Sequence, residues 1–172
     1  MNEQTVTPGS VGVRYGIITG FISVLYSLIL FITDLNTNPV LSNLSLLILL
    51  GGIIMAYVYF KKENMGFMSY GQGLGIGTLL SAISGLLSGI FVYIYVEFID
   101  TGLVERMRNI QIEKMEEQGL SDEQIEQAMA MAEKFTGPLM MLVVTIIASA
   151  FFGFVFSLIV AAIMKRNRPE FE

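Results

Sequence analysis

The sequence predicts an all-α, polytopic membrane protein. It has four transmembrane helices and a short extracytoplasmic helical hairpin between spans three and four. Three observations predict this. Hydrophobic residues make up 53% of the chain, charged residues 15%, and the mean hydropathy is +0.66. That lies far to the apolar side of a soluble domain. Four long apolar runs reach the roughly 20 residues that cross a hydrocarbon core about 30 Å thick. None of them alternates apolar and polar residues as a barrel strand does. The 172 residues therefore read as one four-helix membrane domain, with spans at about 15–33, 40–60, 74–99 and 139–164.

Span one, Tyr15 to Thr33, carries no charge. Only Arg14 precedes it closely, and Ile32-Thr33-Asp34 is a poor cleavage site, so it reads as a retained span and not as a signal peptide. Span two, Val40 to Phe60, is also uncharged. Span three is uncharged from Leu74 to Val96 and resumes past Glu97 to Ile99. Span four runs uncharged from Leu139 to Met164.

Lysine and arginine in short loops set orientation. Arg14 precedes span one, Lys61 and Lys62 close span two, and Lys165, Arg166 and Arg168 follow span four. The segment 34–39 after span one has neither lysine nor arginine. With an even number of spans these basic segments share one side, expected to be the cytoplasm. Segment 101–137 then lies outside, where its four basic residues are outnumbered by eight acids. Within it, Val104 to Gln118 is rich in good helix formers, and Gly119 ends that run. Ser121 with Gln124 reads as a capping box for a second helix, whose apolar stripe is Ile125, Met129 and Ala132. Pro138 suits the first turn of span four.

What is missing excludes several functions. The chain has no histidine and no cysteine. Histidine acid/base chemistry, thiol nucleophiles, disulfides and the commonest zinc and haem ligands are out. A net charge of −5 argues against nucleic-acid binding. The acids of segment 101–137 lack the alternating spacing of a calcium loop and read as a solvated helical surface. Its methionines read as packing material, not soft-metal ligands. No cofactor, no metal and no enzymatic activity are expected.

The most specific pattern is small residues at every fourth position. Span one has Gly12, Gly16 and Gly20; span three has Gly73, Gly77, Ser81, Gly85 and Gly89. Span four has Thr145, Ser149, Gly153, Ser157 and Ala161, and span two only Gly52 and Ala56. Lipid tails are as apolar as leucine, so spans associate through close backbone approach, which small residues permit. Each step of four drifts about 40° around a 3.6-residue helix. A row of five is therefore expected to cross its partner steeply or to serve two partners. Spans three and four are expected to pack on each other, with span one or a second copy taking the remainder. The other reading has the glycines lining a substrate cavity.

Ionisable residues near the bilayer are functional pointers. Glu97 and Asp100, three apart, are expected on one face of span three, either as a cation or proton site or as wet headgroup-level residues paired with Arg106 or Arg108. Tyr57, Tyr59, Phe60, Tyr93 and Tyr95 suit aromatic belts. Tyr70-Gly71-Gln72-Gly73 is a polar, glycine-rich start to span three. It reads as an interface or ligand site, with Tyr70 and Gln72 as its side chains, or as a plain helix start. A faint repeat relates Tyr15-Gly16-x-x-x-Gly20 to Tyr70-Gly71-x-x-x-Gly75, a device known in transporters.

The stretch Lys61-Lys62-Glu63-Asn64-Met65-Gly66-Phe67-Met68-Ser69-Tyr70-Gly71-Gln72-Gly73 resembles the bacterial family called domain of unknown function 4199, found mostly in Bacteroidetes. The resemblance covers nearly the whole chain. It implies four spans in a bacterial inner membrane, a basic end to span two, the Ser69-Tyr70-Gly71-Gln72 start to span three, and Asp100 at the outer end of that span. Thr101 follows Asp100 where relatives often have proline. The resemblance implies no activity. The expected role is a structural or accessory membrane component acting through helix–helix contacts. Its expected partners are the lipid bilayer and a homo-oligomer or membrane-protein partner. The alternative is a small oligomeric carrier or channel for a small solute or ion.

Overall fold

Three of the four long helices start on a proline, which loses nothing at a position whose N–H has no intrahelical acceptor. The computed structural model describes residues 6–168. Helix α1 spans Pro8–Ile32, with the Thr7 hydroxyl accepting from the Ser10 N–H at 3.1 Å. Helix α2 spans Pro39–Glu63, capped by the Asn38 side chain, which accepts from Val40 and Leu41. Helix α3 spans Tyr70–Ile94 and continues as a five-residue π-helical segment, Tyr95–Ile99. Helices α4 (Leu103–Glu117) and α5 (Asp122–Thr136) follow, and α6 (Pro138–Met164) ends the fold. The described residues hold no strand, only one isolated bridge between Met68 and Arg166.

Four helices are long and apolar enough to cross a membrane: α1, α2, α3 with its π-helical end, and α6. They begin earlier than the apolar runs do, α1 by seven residues and α3 by four. A hydropathy run marks only what suits hydrocarbon, whereas a helix continues until its end groups find a cap.

The chain divides into two units. The first comprises residues up to Ser88 and from Ile146 onward, so it holds α1, α2, most of α3 and most of α6. Its α1–α2 contact is close: Thr19 lies against Gly52, and the Tyr26 hydroxyl donates to the Leu41 carbonyl at 2.7 Å. Glycines also seat α1 on α3. Gly12, Gly16 and Gly20 face Leu79, Ile83 and Leu87 in turn, so the two helices run parallel. Ile53, Ala56, Tyr57, Phe60, Met68, Ile76, Leu80 and Val11 form the buried centre. Large apolar side chains such as Phe21, Leu25, Ile29, Ile147 and Phe151 point outward. A soluble protein rarely exposes so much contiguous apolar surface.

The Tyr-Gly repeat does not place its members alike. Gly16 is buried against Ile83, two turns into α1, whereas Gly71 and Gly75 have nothing within 4 Å where a Cβ would stand.

The second unit is Gly89–Thr145. It is held largely by local rules. Gly119 has φ +78°, its N–H reaches the Glu116 carbonyl at 2.9 Å, and the Leu120 N–H reaches the Met115 carbonyl at 3.2 Å. These two bonds close α4 as a Schellman motif, which needs a left-handed residue that glycine adopts without a Cβ clash. The Ser121/Gln124 capping box is present and starts α5. Ile125 and Met129 are buried on α5, and Arg108 pairs with Glu133 across the hairpin at 2.9 Å.

Replacing Ser121 with Ala should loosen α5 by about 1 kcal/mol through loss of the cap. Amide hydrogen exchange over residues 121–125 should speed up, with α1 to α3 unchanged.

Candidate functional site

The small residues of α3 and α6 meet rung by rung. A Cβ placed on Gly73 would lie 2.8 Å from Ala161 Cβ, and one on Gly77 would lie 2.9 Å from Ser157 Cβ. One on Gly153 would overlap Ser81, and one on Gly85 would lie 2.6 Å from Ser149 Cβ. Each step of four along α3 is thus answered by a step of four back along α6, as an antiparallel pair requires. Real Cβ atoms do not approach this closely, so glycine is needed wherever the facing residue is larger. Gly89, the fifth member of the α3 row, is buried in the second unit.

Of the two arrangements expected for such a row, the one divided between two partners does not hold over Gly73 to Gly85. Four members, Gly73 to Gly85, face α6 throughout. The drift is shared: both helices present i, i+4 ridges, and ridges of the same kind follow one another when the axes cross. The opposite ridge of α3, Leu79, Ile83 and Leu87, takes α1.

The seam's hydroxyls are bonded. Ser149 Oγ donates across the seam to the Ser81 carbonyl at 2.8 Å. Ser81 Oγ donates back to the Gly77 carbonyl at 2.8 Å, and Ser157 Oγ to the Gly153 carbonyl at 2.6 Å. Tyr57, fully buried, reaches in from α2 and donates to the Gly73 carbonyl at 2.6 Å. Three helices therefore meet around Gly73 and Gly77. The belt reading of Tyr57, Phe60 and Tyr95 is corrected, because all three are buried. A buried tyrosine hydroxyl requires an acceptor, and the glycine carbonyl is reachable because no side chain shields it. Nothing in sequence spacing pairs Tyr57 with a residue 16 positions away.

At the far end of α3 the pairing of Glu97 with Asp100 on one α-helical face is also corrected. Glu97 lies in the π-helical segment, exposed, and Asp100 lies beyond it as the cap residue. The wider π turn displaces the i, i+3 relation. Asp100 forms an ion pair with Arg106, including a bond from Nη1 to Oδ1 at 3.1 Å. The Arg106 guanidinium holds the Asp100 carboxyl below the usual carboxylate range. Among the described residues no cluster of acids suits a metal ion.

Tyr70 is exposed at the start of α3, and Gln72 belongs to a capping box. Its Oε1 accepts from the Ser69 N–H at 2.8 Å, and its own N–H donates to Ser69 Oγ at 3.3 Å. Ser-x-x-Gln is a helix-start signature that the sequence carried openly. The neighbouring basic end was not legible in that way. Lys61 Nζ donates to the Met164 carbonyl at 3.0 Å, and the Met68 and Arg166 backbones exchange bonds of 2.9 and 2.8 Å. The segment after α6 is thereby tied to the turn between α2 and α3.

The fold defines a multi-pass membrane protein of four long helices. The family model described as "Protein of unknown function (DUF4199)" matches residues 14–166, and the chain belongs to that family. No curated protein matches the chain, and no solved structure does.

Two outcomes test this geometry. Gly77→Leu should destabilise the four-helix unit by about 1–3 kcal/mol or more through overpacking against Ser157 and Tyr57. Gly75→Leu, two residues away in open space, should leave thermal stability within about 0.5 kcal/mol or raise it slightly. Melting curves in one detergent compare them. For Asp100 the folded carboxyl is the stronger acid, so its pair with Arg106 persists at neutral pH. The pair is lost only as pH falls through that lowered value. Protection of the first turn of α4 should therefore survive mild acid in the wild type, and should be lower at every pH in Asp100→Asn.

Proposed function

We propose that this protein is a structural or accessory component of a bacterial inner membrane that acts through helix–helix contacts. Both termini, with the basic ends of α2 and α6, lie on the cytoplasmic side, and the α4–α5 hairpin lies outside. The distribution of lysine and arginine supports that orientation. The observation that carries the reading is the seam. Its glycine positions are filled by facing side chains of α6, and its serine hydroxyls are bonded to backbone. Glycines serving a solute pathway would leave carbonyls facing open space. The reading includes no enzymatic step, in keeping with a sequence that lacks histidine and cysteine.

An accessory role needs an outward contact. Gly71 and Gly75, one turn apart on α3, are exposed small residues of the kind that admit a neighbouring helix. The test is native mass spectrometry after extraction in native lipid. The expected result is a second membrane protein, or a further copy of this chain, at fixed stoichiometry, lost in Gly75→Leu while the monomer stays folded. A lone monomer holding a small solute, released by Gly85→Leu, would sink the reading in favour of a carrier.

A further inference from the structure

The turn between α2 and α3 and the segment after α6 line an open cavity of about 540 Å³, bordered by Asn64, Phe67, Ser69, Gln72, Asn167 and the two arginines 166 and 168. We propose that this cavity binds the phosphodiester of an anionic phospholipid headgroup. The proposal goes beyond the packing reading and does not rest on it.

Four observations carry it. First, the lining has two guanidinium groups and no carboxylate. Among the described residues neither arginine meets an acid. Second, both guanidinium groups are held in place. Arg166 lies 5.5 Å and Arg168 5.9 Å from the centre of the same Phe67 ring. Arg168 Nη2 also donates to Asn64 Oδ1 at 2.8 Å, and Asn64 Nδ2 donates to the Phe67 carbonyl at 2.8 Å. Third, the backbone is braced. The Met68–Arg166 bridge fixes where the tail crosses the turn, and Met68 is fully buried beneath it. Fourth, the cavity lies at the end of a helix long and apolar enough to cross a membrane, since Arg166 is two residues past Met164, the last residue of α6.

Two cations held over one aromatic ring repel each other, and an anion between them relieves that repulsion. Arginine suits phosphate oxygens because its planar fork donates paired hydrogen bonds. Fixing the guanidinium groups beforehand reduces the ordering cost of binding. A phosphate monoester in solution shares this chemistry. Placement decides for the lipid: a headgroup whose acyl chains lie along α3 and α6 delivers its phosphate to this level, and basic pockets at helix ends serve this use.

The experiment uses the full chain in phosphatidylcholine nanodiscs, with and without phosphatidylglycerol, and native mass spectrometry of the released protein. Wild type should retain one phosphatidylglycerol and should melt higher in the discs that contain it. Arg166→Gln with Arg168→Gln should weaken retention by roughly tenfold or more, because the charge-assisted hydrogen bonds to the phosphate are lost. Lys62→Gln with Lys165→Gln removes the same charge outside the cavity and should change retention little. Phe67→Leu keeps both charges and loses the ring that aligns them, and should give an intermediate loss. The bridge uses backbone atoms, so the arginine variants keep it, and circular dichroism verifies their helix content. Equal losses from the arginine and lysine pairs would reduce the effect to general charge and overturn the proposal. Displacement of the lipid by sn-glycerol 1-phosphate at equal concentration would assign the cavity to a soluble phosphate and overturn it as well.

Discussion

Close backbone approach along α3 is the constraint on which the four-helix unit depends. Among lipid tails, burying one apolar helix against another gains little from the hydrophobic effect, so association rests on packing and on polar contacts. Helix α3 meets that condition on two sides. Toward α6 it presents Gly73, Gly77, Ser81 and Gly85, each against a small residue. Toward α1 it presents a ridge of Leu79, Ile83 and Leu87, and there the glycines belong to the partner. One helix thus supplies small residues to one neighbour and large ones to the other. The large exposed side chains are left for the outward faces of the long helices, Leu86 of α3 among them, where lipid is an adequate partner.

Polar groups within this apolar unit act as local fasteners. The Tyr57 hydroxyl, the Ser149 hydroxyl and the Tyr26 hydroxyl each end on a backbone carbonyl of another helix. Such bonds are worth roughly 0.6 to 2 kcal/mol apiece in a membrane, enough to fix register and too little to assemble the unit without packing. The basic end repeats the principle with charge. Lys61 caps the last carbonyl of α6, and Arg14 donates to Tyr59 at 3.1 Å while lying over its ring. These cations thereby join helix ends.

The α4–α5 hairpin stands on different physics. Few of its side chains are buried, and its definition comes from the Schellman turn at Gly119, the Ser121 box and the Arg108–Glu133 pair. Such devices specify where helices stop and start, but each contributes only modestly at a solvated surface.

By itself the sequence determined the helix count, the four apolar spans, the break at Gly119 and the Ser121 capping box, because these follow from periods, lengths and signals within a few residues. The small-residue rows were legible for the same reason. Which helix each row would meet was not, since a row of glycines has the same spacing whatever lies opposite. Only the tertiary structure set Gly12, Gly16 and Gly20 against α3, and only it chose one partner, α6, for four α3 positions where drift around one helix had left two arrangements open. It also moved Tyr57 from an interfacial belt to a buried bond with Gly73 and brought Arg166 and Arg168 to Phe67, about a hundred residues away in the chain. Those contacts depend on how helix ends fall beside one another, which residue spacing within one segment does not encode.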